Sequence, residues 1–149
     1  MKFLQFILPF LATLCGCATS QVGAPPVVLE IRTGSKAPAP GFEEITPPHS
    51  TQPIYVSQEP ALANGDVSKA RASQGIGWPQ VEITFTERGA TKFGEITGQN
   101  IGQPLAIFVD GQLLSAPVIR EKISGGKAII SGHFTEEEAK RIAKGIASK

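Results

Sequence analysis

An α+β domain, a mostly antiparallel sheet with two main helices packed on one face, is predicted by three features of this 149-residue chain. Val81, Ile83 and Phe85 alternate with Glu82 and Thr84, the period of two that marks a half-buried strand. Asp110-Gly111 separates two apolar runs and supplies the positive φ angles of a tight hairpin turn. Thr135-Glu136-Glu137-Glu138 has the spacing of a capping box, in which Thr135 serves one orphan amide and Glu138 reaches back to another. Ala139, Ile142, Ala143 and Ile146 then form one apolar helical stripe that needs a sheet to lie on.

The remaining elements follow in order. Val27-Val28-Leu29-Glu30-Ile31-Arg32 reads as a strand. Residues 33–53 carry Pro38, Pro40, Pro47, Pro48 and Pro53, a density that predicts an irregular loop pinned by Phe42 and Ile45. Ile54-Tyr55-Val56 is a short strand, and a helical turn is predicted over residues 66–72 with Asn64 or Asp66 as its cap. Residues 73–79, with Gly75, Gly77 and Pro79, read as a loop. After the strand at Val81, Thr86 can cap a helix with Ala90, Phe93 and Ile96 on one face and Gly98 at its end. Leu105-Ala106-Ile107-Phe108-Val109 is apolar on both faces, as in a central strand. The return strand over residues 113–119 contains Pro117, which restricts it to an edge or a bulge. Gly125-Gly126 predicts a turn before a further strand over residues 127–131.

Ahead of this domain, Lys2 precedes an apolar run over residues 3–14, shorter than the roughly 18–20 residues of a membrane-spanning helix. The run ends in Leu14-Cys15-Gly16-Cys17, which resembles the lipobox of bacterial lipoproteins. The resemblance implies cleavage after residue 16, lipid on the Cys17 sulfur and an acylated new terminus. Residues 1–16 are thus expected to be a signal peptide, 17–26 a flexible tether and 27–149 one domain. Cys15 would leave with the signal, so no disulfide is expected. Ala18 after the lipidated residue favours the outer over the inner membrane, by resemblance to the sorting rules of bacteria with two membranes.

Loss of Lys2 with the signal takes the formal net charge from +1 to zero. Nothing then favours nucleic acid as a partner. Gly75-Ile76-Gly77-Trp78-Pro79-Gln80 lacks the third glycine of a dinucleotide loop, and Gly125-Gly126-Lys127 lacks the upstream glycine of a phosphate loop. The pattern G-x-S-x-G does not occur. His49 and His133 are the only histidines, too few for a zinc site without several carboxylates; His133 reads as a turn residue. Asp110 reads as structural, and the acidic Glu136, Glu137 and Glu138 suit a helix start. Trp78 is either an interface anchor or a loop-covering core residue. No cofactor, metal site or catalytic set is expected.

The series Phe85-Thr86-Glu87-Arg88-Gly89-Ala90, Asn100-Ile101-Gly102, Leu105-Ala106-Ile107, Asp110-Gly111, Ser115-Ala116-Pro117-Val118-Ile119-Arg120, Ile123-Ser124-Gly125-Gly126, Ile130-Ser131-Gly132 and Phe134-Thr135-Glu136-Glu137-Glu138-Ala139 resembles the head of the first periplasmic domain of SecD. The likeness is strongest over residues 81–147. Its turn and cap positions here are Asp110, Gly111, Pro117, Gly125, Gly126, Gly132, Thr135 and Glu138. SecD is an accessory subunit of protein export whose transmembrane helices couple proton flow to head movement. A head alone would keep only the passive role, contact with exported polypeptide or with a Sec or envelope component. The resemblance thus implies a non-catalytic, periplasm-facing binding module, held at the membrane by its lipid. A small-ligand sensor, an enzyme with an unrecognised site and an oligomerising envelope protein are the alternatives.

Overall fold

The structure, a computed structural model, describes residues 26–147. Among the described residues, nine strands and two α-helices form an α+β domain in which every strand pair is antiparallel. The strands are β1 (Leu29–Ser35), β2 (Phe42–Ile45), β3 (Ile54–Ser57), β4 (Leu62–Ala63), β5 (Val67–Gln74), β6 (Pro79–Phe85), β7 (Leu105–Val109), β8 (Gln112–Ser115) and β9 (Lys127–Ser131). The helices are α1 (Glu87–Gln99) and α2 (Glu136–Ala147). The strands divide into two sheets. One runs β2-β3-β1-β7-β8 with β4 also paired to β1, and the other runs β5-β6-β9.

Both sheets and both helices feed one apolar core, which includes Leu29, Ile31, Val81, Ile83, Phe85, Phe93, Ile107, Ile130, Ile142 and Ile146. Strand β7 is buried along its whole length, and its alternation explains why. Leu105, Ile107 and Val109 enter the main core, while Ala106 and Phe108 join Val56 in a smaller cluster. The Arg32 guanidinium lies 4.7 Å over the Phe108 ring and pairs with Glu30 at 2.6 Å. Its aliphatic stem and planar head thus close the second cluster against solvent.

The two-residue turn between β7 and β8 is Asp110-Gly111, with φ of 51° and 77°. Asp110 does more than turn the chain. Its carboxylate accepts from the Val28 N–H at 3.0 Å and faces Arg141 at 3.4 Å. Helix α2 begins with the expected box, the Thr135 N–H donating to Glu138 at 2.8 Å and the Glu138 N–H donating to the Thr135 hydroxyl at 3.2 Å. The backbone hydrogen bond from Thr135, then that from its side chain, holds the Glu138 carboxyl below the usual carboxylate range. Gly126 adopts φ 63° in the turn ahead of β9, and its carbonyl accepts from the Phe85 N–H at 2.9 Å.

Four sequence expectations need correction. Residues 66–72 are not helical: a 3-10 turn at Asn64–Asp66 leads straight into β5. Asn64 does not cap a helix but clamps β1, accepting from the Leu29 N–H and donating to the Val27 carbonyl, each at 2.7 Å. Ala70 and Ala72 then face the core opposite Ile83 and Val81, while Lys69 and Arg71 are exposed. The loop over residues 73–79 narrows accordingly, since Ser73, Gln74 and Pro79 belong to β5 and β6. The proline-rich stretch holds the end of β1 and all of β2, which tolerates flanking prolines because it ends its sheet. Helix α1 runs through Gly98 to Gln99, and Asn100 caps it.

Candidate functional site

Prolines and strand ends decide where this domain leaves its surface open. Strand β8 ends the first sheet and β9 ends the second, so each has a neighbour on one side only among the described residues. Between them runs a groove of about 1000 Å³. Its banks are residues 114–118 on one side and Ile129, Ser131, Gly132 and His133 on the other. The tip of the β5–β6 hairpin, with Ile76 and Trp78, and the loop at residues 47–53 also line it.

The β8 bank keeps its shape despite Pro117. Ser115 pairs with Ile107 and Leu113 with Phe108, so Leu114 is an extra residue in a bulge. Beyond it the Pro117 carbonyl accepts from the Leu105 N–H at 2.8 Å, and the Ile119 N–H donates to Gln103 at 2.9 Å. The chain therefore stays fastened beside β7 through the Pro117 carbonyl and the Ile119 N–H. On the other bank, Ile129 pairs with Glu82, and the neighbours Ala128 and Ile130 take the core side, so Ile129 faces solvent. Ile76, Trp78, Val118 and Ile129 are the large apolar side chains exposed here, Trp78 at 55%.

At one end of the groove the rings of His49, Trp78 and His133 meet. His49 lies 4.6 Å from His133, and Trp78 lies edge-on to His133 at 4.9 Å. Sequence reasoning singled out Trp78 and His133 but not their contact, and set His49 aside. Of the predicted turn and cap positions, Pro117 and Gly132 line the groove. Asp110, Gly111, Gly125, Gly126, Thr135 and Glu138 do not line it and act in turns or in the cap. Cys17 lies outside the described residues. Among the described residues no three His, Cys, Asp or Glu side chains are grouped to hold a metal ion. Lys36 is the one lysine, arginine or carboxylate among those lining the groove. Among the described residues the groove is lined by apolar side chains, prolines, serines and the imidazoles of His49 and His133.

Comparison with known proteins matches residues 42–148, from β2 to beyond α2, to the family described as SecDF, P1 head subdomain. The chain belongs to the SecDF P1 head family. The P1 head is 52% identical over 85 residues to the protein translocase subunit SecDF of Thermus thermophilus, covering 56% of this chain and 12% of that protein. It is 36% identical over 119 residues to the translocase subunit SecD of Rhodobacter capsulatus, covering 78% of this chain and 22% of that one. A solved structure of SecDF, described as a membrane component that enhances protein export, superposes with a TM-score of 0.66. The identity there is 34%, over 83% of this chain and 63% of that one. The chain spans less than a quarter of the length of these two curated relatives. No helix among the described residues is long and apolar enough to cross a membrane.

Proposed function

We propose that this P1 head is a non-catalytic binding module of the bacterial envelope that holds an extended segment of exported polypeptide between β8 and β9. The observation that carries this reading is the pair of sheet-ending strands on the two banks of one groove. Strands in a sheet lie about 4.8 Å apart, and an extended segment can add its backbone to an open edge. Sequence tolerance follows from backbone pairing, and the exposed Val118, Ile129 and Trp78 supply apolar anchors. Pro117 lacks an N–H and limits indiscriminate pairing along the β8 bank. The relatives' role in protein translocation supports the choice of polypeptide as the occupant. In this proposal the head faces the periplasm and is tethered through lipidated Cys17. The support for the tether is the Leu14-Cys15-Gly16-Cys17 sequence, and Ala18 favours the outer membrane.

Titration of the chain with unfolded segments of exported proteins tests the reading. Amide shifts are expected at residues 113–118 and 128–133, with little dependence on salt because Lys36 is the one fixed charge among the described residues of the groove. Shifts confined to the outer face of α1, or no response at millimolar peptide, would remove polypeptide binding.

A further inference from the structure

The ring cluster at the end of the groove joins three segments that are far apart in sequence. His49 sits at the tip of a turn in which the Ser50 N–H donates to the Pro47 carbonyl at 3.1 Å. Its φ is 62°, in the left-handed region where histidine, like asparagine and aspartate, is enriched among non-glycine residues. The turn places an imidazole at its tip, against His133 from the β9–α2 loop at an interplanar angle of 57°. Trp78, from the β5–β6 hairpin, meets His133 edge-on at an interplanar angle of 66°. We propose that His49, His133 and Trp78 form a proton-released clasp. With neutral imidazoles the rings pack and hold the loop at residues 47–53 against the rim of the groove. With both imidazoles charged, two cations stand 4.6 Å apart and the loop lets go.

The described lining of the groove supplies no carboxylate to offset that repulsion. Histidine is the side chain whose ordinary titration spans roughly pH 5 to 8. Among the described residues lining the groove none is a carboxylate, and Lys36, from the β1–β2 connection, adds a further positive charge. The hairpin tip at residues 75–80 and the β8 bank at 114–118 bring no charged group. Glu136, Glu137 and Glu138 follow His133 at the start of α2, where Glu136 is paired with Lys140 at 2.5 Å and Glu138 is bound to Thr135. The clasp stands on ring geometry. Only its consequence, wider access of an extended segment to the groove at acid pH, rests on the binding reading above.

Backbone relaxation of Ser50, Thr51 and Gln52 in the full chain, without any ligand, tests the clasp. Between about pH 7.5 and about pH 5, their order parameters should fall from about 0.85 to below about 0.6. His133→Phe keeps a ring in place without a titrating nitrogen and should hold them near 0.85 at both pH values. In the unaltered protein at the lower pH, about 1 M NaCl, with a Debye length of roughly 3 Å, should restore at least half of the lost order. The single tryptophan gives an independent optical readout of the same step. Unchanged loop order in the unaltered protein, or equal loosening in His133→Phe, would overturn the proposal. Should far-UV dichroism show that His133→Phe does not fold, the salt experiment decides alone. Because no peptide is present, failure of the clasp is distinguishable from failure of polypeptide binding.

Discussion

Phe93→Ala should destabilise the P1 head by about 3–5 kcal/mol, seen as a lower urea midpoint with an unchanged slope. Phe93 is 2% exposed on the core face of α1, and its ring lies 4.7 Å from that of Phe85 on β6. Truncation removes the transfer free energy of the ring and leaves a cavity between a helix and a sheet. Buried Thr97, one turn further along α1, donates to the Phe93 carbonyl at 2.8 Å and accepts from the Ile123 N–H at 3.0 Å. That bridge fixes the segment leading to β9, so the helix cannot slide inward to refill the space. A loss below about 1 kcal/mol would mean that α1 does not bury this face.

Gly89→Ala is the second large effect, and its sign is diagnostic. In an exposed helix interior, alanine is favoured over glycine by about 1 kcal/mol. Here an added Cβ would overlap the backbone carbonyl oxygen of Asp66 and lie 3.0 Å from the Asp66 Cβ. The carbonyl cannot retreat, because it accepts from the Thr86 N–H at 2.8 Å at the start of α1. The Asp66 carboxylate is likewise occupied, accepting from Ala63 and facing Lys92 at 3.4 Å. Gly89→Ala should therefore cost about 1–3 kcal/mol despite its better helix propensity. Gly94→Ala is the control, since its nearest new neighbour is the Ile123 carbonyl at 3.5 Å, an ordinary contact. It should be neutral or stabilising by up to about 1 kcal/mol. Equal effects at the two positions would contradict the close approach of α1 to the 3-10 turn.

The elements legible in the sequence are those whose signals are local. The capping box of α2, the Asp110-Gly111 turn and the alternation in β6 each lie within a few residues, and each forms where expected. Strand β5 was not legible. Val67-Ser68-Lys69-Ala70-Arg71-Ala72-Ser73-Gln74 has weak intrinsic strand preference, and it becomes a strand by pairing with β6 over its length. Asn64 looked like a helix cap because its partners at Val27 and Leu29 lie more than thirty residues away. The groove was illegible for the same reason. Residues 113–119 read as an edge or bulge strand and 127–131 as a further strand, with no local signal that they share a groove, and only the division into two sheets sets their ends on one cavity. One signal was available: Ala128-Ile129-Ile130 is too apolar for a strand with one wet face, and Ile129 is the residue left outside.

The central claim, that an exported chain occupies the space between β8 and β9, is tested most directly by photo-crosslinking during export. A benzophenone side chain would replace Val118 on one bank, Ile129 on the other, or Glu95 on the exposed face of α1. Irradiation of export-active membranes carrying the full chain should give adducts with the exporting polypeptide from Val118 and Ile129, and none from Glu95. Equal adducts from Glu95, or no adduct from either bank while export proceeds, would contradict it.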